Sequence, residues 1–431
     1  MWPIVTLALA LPLAAARTPE EIAQNARWLV HQTTWGYLTT LDAHTKVPVG
    51  DTLSFSDGAL DHSTGRFFFY VMGDYTAAAP QGLPCAFTLS QASLMHNATL
   101  DPEDPRCAKL TASGILRKSE GEDVQLGKEA LFARHPQMKH WPASHHFAVH
   151  ELQLSEVWMI DMYGGGENIS LDVFWAAQPR HTTPWAASSR SSVLQPGSKP
   201  PPWSQLADRA RWLVAHSVWA ALGTSSVRRP GMAWGNVRSV ADGVGTNSTG
   251  LPMLYVPTPD PSSADLAADA RAVLTMSEAG LPAPGSGSCG ETEDPICARI
   301  TLSGRLRVLN ATELLDAEER MKVKHPLAPW LATGGAHTGG QYFTIELENI
   351  TFLDFYGGPS NLTVAQYLAA AAPQETCSRN RPMRRFGTGM GHSILKLIQE
   401  RMSHIARKQC IPCIALCIAL YRQTYLSKMP L

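Results

Sequence analysis

The chain has almost no net charge: 36 Lys and Arg against 37 Asp and Glu leave −1. No overall field therefore recruits nucleic acid. Charged residues are scarce at 17 %, but apolar residues at 44 % suit globular domains rather than disorder. No Gly-rich turn joins a strand to a helix, which excludes a doubly wound nucleotide-binding fold. Neither apolar run crosses a bilayer. Residues 4–11 are too short, and the run near the C-terminus is only about 12 residues long, so no transmembrane segment is expected.

What is present is a long repeat. Arg27-Trp28-Leu29-Val30 with Trp35 recurs as Arg211-Trp212-Leu213-Val214 with Trp219. Asp104-Pro105-Arg106-Cys107 recurs as Asp294-Pro295-Ile296-Cys297, His135-Pro136 as His325-Pro326, and Tyr163-Gly164-Gly165 as Tyr356-Gly357-Gly358. The offset drifts from 184 (Arg27 to Arg211) to 193 (Tyr163 to Tyr356). A period of this size is a duplicated domain, not a solenoid, and 431 residues accommodate two domains.

Each copy opens with a helix. Thr18-Pro19-Glu20-Glu21 is a capping-box start with Pro at the first helical position. Ile22, Ala26, Leu29 and Val30 then share one face, as do Leu206, Ala210, Leu213 and Val214. Strands are expected over 35–41 and 219–223, 67–71 and 253–256, 87–89 and 273–276, 109–116 and 299–306, and 343–347. A second helix is expected over 123–135 and 310–325, ended by His-Pro, and a short helix closes each copy. Many antiparallel-type strands with few helices indicate an α+β barrel.

Both ends read as additions. Residues 1–16 have the pattern of a secretory signal peptide, with Ala14-Ala15-Ala16 before Arg17. Six Asn-x-Ser/Thr sequons (Asn97, Asn168, Asn247, Asn310, Asn349 and Asn361) agree with passage through the secretory pathway and glycosylation there. Residues 179–203 are a Pro/Ser-rich linker between domains at 17–178 and 204–374. Residues 375–431 form a basic, Cys-containing tail, read as poorly ordered, with a membrane-surface helix as the competing expectation. An oxidising compartment allows cysteines to pair. Cys289–Cys297 is a plausible disulfide across a short loop, and Cys85–Cys107 is possible in the first copy.

Reactive groups are few. His135, His140, His145, His146 and His150 suggest zinc, but the second copy keeps only His325 and something near His337. Surface histidines that charge at endosomal pH are preferred, with no metal expected. Asp57-Gly58 and Asp242-Gly243 read as turns rather than catalytic carboxylates, and Trp35 and Trp219 as core. No Ser/His/Asp or Cys/His constellation can be assembled from residues kept in both copies. No catalytic or cofactor-binding residue is assigned.

The first copy resembles the CREG family of secreted glycoproteins (cellular repressors of adenoviral-oncoprotein-stimulated genes). The resemblance rests on Arg27–Val30 with Trp35-Gly36, Ser54–Gly58, Asp104–Cys107, Arg134–Pro142, Ser144-His145 and Tyr163–Gly165, over residues ~20–178. The second copy is similar through Asp242-Gly243, Cys289, Cys297, His325-Pro326, Trp330 and Tyr356–Gly358. The resemblance implies two tandem split β-barrels of the FMN-binding, pyridoxamine 5′-phosphate oxidase-like type, dimerising through the barrel but without flavin or oxidase activity. It further implies a secreted or endosomal–lysosomal location, recognition of N-glycans by mannose 6-phosphate receptors, and a non-enzymatic role in growth or differentiation control. A flavin phosphate would need cations at the barrel interface, yet residues 73–79 and 259–265 supply none. An FMN-dependent oxidoreductase is the alternative function. Tandem copies suggest an intramolecular pseudo-dimer of the two barrels.

Overall fold

The computed structural model describes residues 17–72, 81–94, 100–181, 199–243, 247–281, 289–331 and 339–371. The signal-peptide segment, Asn97, residues 73–80, most of the linker, the neighbourhood of His337 and the tail lie outside the described residues.

The first copy runs α1 (Pro19–Gln32), β1 (Trp35–Leu41), β2 (Pro48–Ser54), β3 (Phe68–Met72), β4 (Leu83–Ser90), β5 (Lys109–Lys118), α2 (Glu122–Arg134), β6 (Phe147–Ile160), β7 (Glu167–Ile169) and α3 (Leu171–Ala176). The second runs α4 (Leu206–His216), β8 (Trp219–Ser225), β9 (Ala233–Ala241), β10 (Met253–Val256), α5 (Pro261–Ala268), β11 (Arg271–Ser277), β12 (Arg299–Val308), α6 (Ala311–Lys324), β13 (Gln341–Leu353), β14 (Ser360–Leu362) and α7 (Val364–Ala369).

The first sheet has the order β2-β1-β4-β5-β6-β3, with β7 on β6, and is antiparallel throughout. An isolated bridge between Ser56 and Phe68 closes it, each amide donating to the other's carbonyl at 3.1 and 3.0 Å. The second sheet, β10-β9-β8-β11-β12-β13-β14, closes more fully because β10 pairs with both β9 and β13. The shared Ser113-Gly114 and Ser303-Gly304 mark the same register shift in the two long hairpins, a bulge of the kind that bends a sheet toward closure. The fold is α+β, two tandem split β-barrels.

Local chemistry explains the helices. Thr18 and Glu21 form the expected capping box, and Asn310 and Glu313 form another at α6. The apolar face of α1 (Ile22, Ala26, Leu29, Val30) is buried with Phe55, Phe67, Phe69 and Phe87 in one core, and α4 does the same for the second barrel. The shared arginine of the Arg-Trp motif has a structural task. Arg27, 1 % exposed, donates to the carbonyls of Phe174, Ala177 and Ser63. Arg211 donates to those of Leu368, Ala370 and Ser248. Each guanidinium ties the first helix of its copy to the end of the last, where carbonyls lack intrahelical partners.

The seam between the barrels as the candidate functional site

The two barrels meet along β1, β2 and β4 on one side and β8, β9 and β11 on the other. The contact is isologous, each pair repeated with the copies exchanged, as in a C₂ dimer. At its centre Trp35 stacks on Trp219 (ring centroids 5.7 Å apart, 26° between planes), and Tyr37 meets both rings edge-on. These tryptophans are buried, as expected, but in the seam rather than in the core of their own barrels. Gly50 and Gly235 let the backbones approach. A Cβ at Gly50 would lie 1.9 Å from Thr275 Oγ1, and one at Gly235 2.3 Å from Thr88 Oγ1. Thr111 donates to the Gly235 carbonyl (2.7 Å) and Thr301 to that of Gly50 (3.3 Å).

The acidic loops before the Asp-Pro-x-Cys motifs reach across. Glu291 meets His135 (Oε2 to Nδ1, 2.7 Å) and accepts from the Ser54 hydroxyl, while Glu293 accepts from the Ser54 amide at 2.9 Å. In mirror image, Asp101 meets His325 (Oδ2 to Nδ1, 2.8 Å) and accepts from the Ser239 hydroxyl at 2.6 Å, and Glu103 accepts from the Ser239 amide at 2.9 Å. The far nitrogens of the two histidines face the carbonyls of Phe55 and Val240, both at 2.9 Å. Burial acts to raise the pKa of Glu291 and Asp101, but the charge and hydrogen bonds of the facing histidines outweigh it and hold both carboxylates below their ordinary range.

The symmetry breaks behind the clasp. Arg238 is held between Glu103 (2.7 Å) and Asp260 (2.5 Å), with Lys109 close by. The counterpart of Arg238 is Leu53. Among the described residues Glu293 therefore lacks the direct ion pair that Glu103 has. Burial pushes its pKa well above the ordinary value, Arg299 offsetting this in part. On this side a cleft of about 330 Å³ opens between the barrels, lined by Thr34, Trp35, Arg134 and His135 of the first and Glu291 and Thr292 of the second. The described cations of the seam already have partners: Arg238 on two carboxylates, Lys109 on the Pro102 carbonyl, Arg134 on that of His31, and Arg299 on that of Thr292.

The other expected site residues fall elsewhere. Cys289 and Cys297 are bridged. The pairing considered for Cys85 and Cys107 is not made, and both thiols are free and buried. β4 and β5 are antiparallel with Cys85 opposite Gly114 and Ser90 opposite Lys109, which puts the two cysteines toward opposite ends of the ladder. Burial raises both thiols to about 12, which makes them unreactive. The histidine run disperses. His135 is in the seam, and His150 is buried, which lowers its pKa. His140, His145 and His146 are exposed. Surface histidine thus describes three of the five; His135 and His325 are 4 % and 3 % exposed. Among the described residues no three His, Cys, Asp or Glu side chains group closely enough to hold a metal ion.

Asp57 and Asp242 anchor turns. Gly58 and Gly243 have φ of 146° and 126°, and each carboxylate accepts from a hydroxyl six residues on, Ser63 or Ser248. His31 also bonds Asp57 (2.8 Å), but its other nitrogen faces the Leu60 carbonyl at 3.1 Å, so no Ser–His contact forms. The sequon residues Asn168, Asn247, Asn310, Asn349 and Asn361 are all exposed. Sequence reasoning missed the seam residues Asp101, Glu103, Glu291, Glu293, Ser54, Ser239 and Arg238. A signal for some was present: Asp101-x-Glu103 and Glu291-x-Glu293 stand at equal distances before the two shared cysteines.

Comparison with known proteins places this geometry. Residues 17–176 and 201–369 each match the family described as CREG, beta-barrel. Human protein CREG2 is 35 % identical over 169 residues, 38 % of this chain and 58 % of the relative. Human protein CREG1 is 31 % identical over 163 residues, 36 % of this chain and 74 % of the relative. The match thus spans less than two thirds of CREG2. Among solved structures, a heme binding protein from Mycobacterium smegmatis aligns with a TM-score of 0.31 at 22 % identity, over 38 % of this chain and 61 % of the other. Two matched regions, two closed barrels and one isologous seam lead to a single statement: the chain belongs to the CREG beta-barrel family and carries its barrel twice.

Proposed function

We propose that this protein is a secreted or endolysosomal glycoprotein that acts by binding rather than catalysis, in growth or differentiation control or in endolysosomal function. The seam is the observation that carries the reading. Paired barrels of the flavin-binding type need unpaired cations at their interface to hold a dianionic phosphate. Here the described cations of the seam face carboxylates or carbonyls, and the space over Gly50 and Gly235 is filled by Thr275, Val273, Thr88 and Thr39. The described residues of the seam do not fit a flavin phosphate. Exposure of five sequon asparagines supports glycosylation and, with it, a glycan-recognising partner such as a mannose 6-phosphate receptor. Among the described residues no helix is long and apolar enough to cross a membrane.

Purified secreted protein decides the matter through its mass and absorbance spectrum. The expected outcome is a colourless protein, heavier than its polypeptide by N-glycans, that does not quench added FMN fluorescence. Stoichiometric yellow absorbance with an extractable flavin would overturn the non-enzymatic reading in favour of an FMN-dependent oxidoreductase.

A further inference from the structure

We propose that the seam is a proton-dependent joint: His135–Glu291 and His325–Asp101 clasp the two barrels together while each pair holds a proton, and the joint loosens when that proton leaves.

The argument rests on geometry. A neutral imidazole has one N–H and one bare nitrogen. Both rings face an oxygen acceptor at each nitrogen: Glu291 at 2.7 Å and the Phe55 carbonyl at 2.9 Å for His135, Asp101 at 2.8 Å and the Val240 carbonyl at 2.9 Å for His325. A carbonyl cannot donate, so Nε2–H is required. The hydrogen bond to the carboxylate then needs one further proton between Nδ1 and oxygen. That proton bridges Nδ1 and the carboxylate oxygen across the short contact. Without it a nitrogen lone pair points at a carboxylate oxygen within hydrogen-bond distance, in a site where both side chains are at most 5 % exposed. The contact then changes from attraction to repulsion where water screens little.

Other charges face these pairs. Around His135 lie Arg134 on the His31 carbonyl, and Glu293 with Asp51 beyond Ser54. Around His325 lie Lys324, lowered to about 8 by burial and bonded to the Ala215 carbonyl, and Glu103, Lys109, Arg238 and Asp260 beyond Asp101. The direction of the pH dependence follows from the two partners. The clasp holds while each pair keeps its bridging proton and is lost as rising pH removes it. At the acid end the depressed carboxylates protonate only below their ordinary values of 4.5 and 3.8, which sets the lower limit. The joint is therefore tightest in mildly acidic solution. His31, which meets Asp57 and the Leu60 carbonyl in the same way, lies within the first barrel and serves as an internal control.

Hydrogen exchange on the full chain tests the joint. The amides of Ser54 and Ser239, which donate across the seam to Glu293 and Glu103, should lose about tenfold in protection between pH 5.5 and 7.5 after correction for intrinsic rates. The Leu110 amide, inside the first barrel, should hold its protection. In the double variant His135→Gln, His325→Gln the seam amides should show no such pH dependence. An unchanged ratio between the seam amides and Leu110 in the wild type, or the same tenfold loss in the double variant, would overturn the proposal. Should the double variant not fold, the imidazole nitrogens of the wild type decide. Two rings with protons on both nitrogens at pH 6 support the joint, and singly protonated rings at positions 135 and 325 refute it.

Discussion

The two halves of the seam are built from the same parts and differ in charge. On the Asp101 side, Glu103 is paired with Arg238, itself shared with Asp260. On the Glu291 side, Leu53 stands in place of the arginine, Glu293 has no ion pair among the described residues, and a cleft opens beside His135. The histidine clasp, the tryptophan stack and the threonine contacts are common to both. Duplication freed one half of an isologous interface from having to match the other. The parts that stayed alike hold the barrels together; among the parts that diverged are the charges behind them.

The most severe test of this comparison is Arg238→Leu, which gives the Asp101 half the leucine of the Glu291 half. It leaves Glu103 and Asp260 without their cation and should cost about 3–5 kcal/mol of unfolding free energy, read by urea titration. A loss under ~1 kcal/mol would mean the ion cluster is not desolvated, and the contrast between the halves would collapse.

A smaller effect separates the two cysteine loops. Cys289→Ser opens a disulfide whose cysteines are 8 residues apart and should cost about 2 kcal/mol. Serine at Cys107 replaces a free buried thiol and should cost about 1 kcal/mol. Equal losses in thermal melts, or a Cys85–Cys107 bridge in the mass spectrum of a non-reduced digest, would contradict the asymmetry.

The smallest effect concerns Glu293. Its folded-state pKa is raised above the ordinary 4.5, so the fold prefers the proton-bound form. The destabilisation appears as pH climbs past 4.5 and stays at neutral pH. Glu293→Gln should therefore match the wild type at pH 4 and be more stable by about 1 kcal/mol at pH 7. Burial raises the pKa of Glu103 as well, but Arg238 opposes it, so Glu103→Gln should gain less than Glu293→Gln at pH 7. Equal gains in the two variants would remove the distinction.

Much of each barrel was legible because its causes are local. The capping box at Thr18 and the spacing of Ile22, Ala26, Leu29 and Val30 produce α1 wherever the helix packs. The strands β1 and β10 begin and end where β-branched and aromatic runs meet turn residues. Helix α5 was not anticipated, although Asp260 caps it with Pro at its first position. The seam was illegible for another reason. His135 and Glu291 are 156 residues apart, and His325 and Asp101 are 224. Nothing local distinguishes a histidine before Pro that points to solvent from one that crosses to another barrel.

The sequence alone determined that there are two homologous domains, the helices that open them, the strand pattern, the turns at Asp57 and Asp242, and the Cys289–Cys297 loop, because short-range sterics, capping and periodicity set these. Only the tertiary structure decided that Trp35 and Trp219 face each other, that each acidic loop serves the opposite barrel, and that Cys107 stays unpaired. Those outcomes depend on which surfaces exclude water from one another. Two surfaces brought together by a chain-long symmetry leave no periodic trace in either.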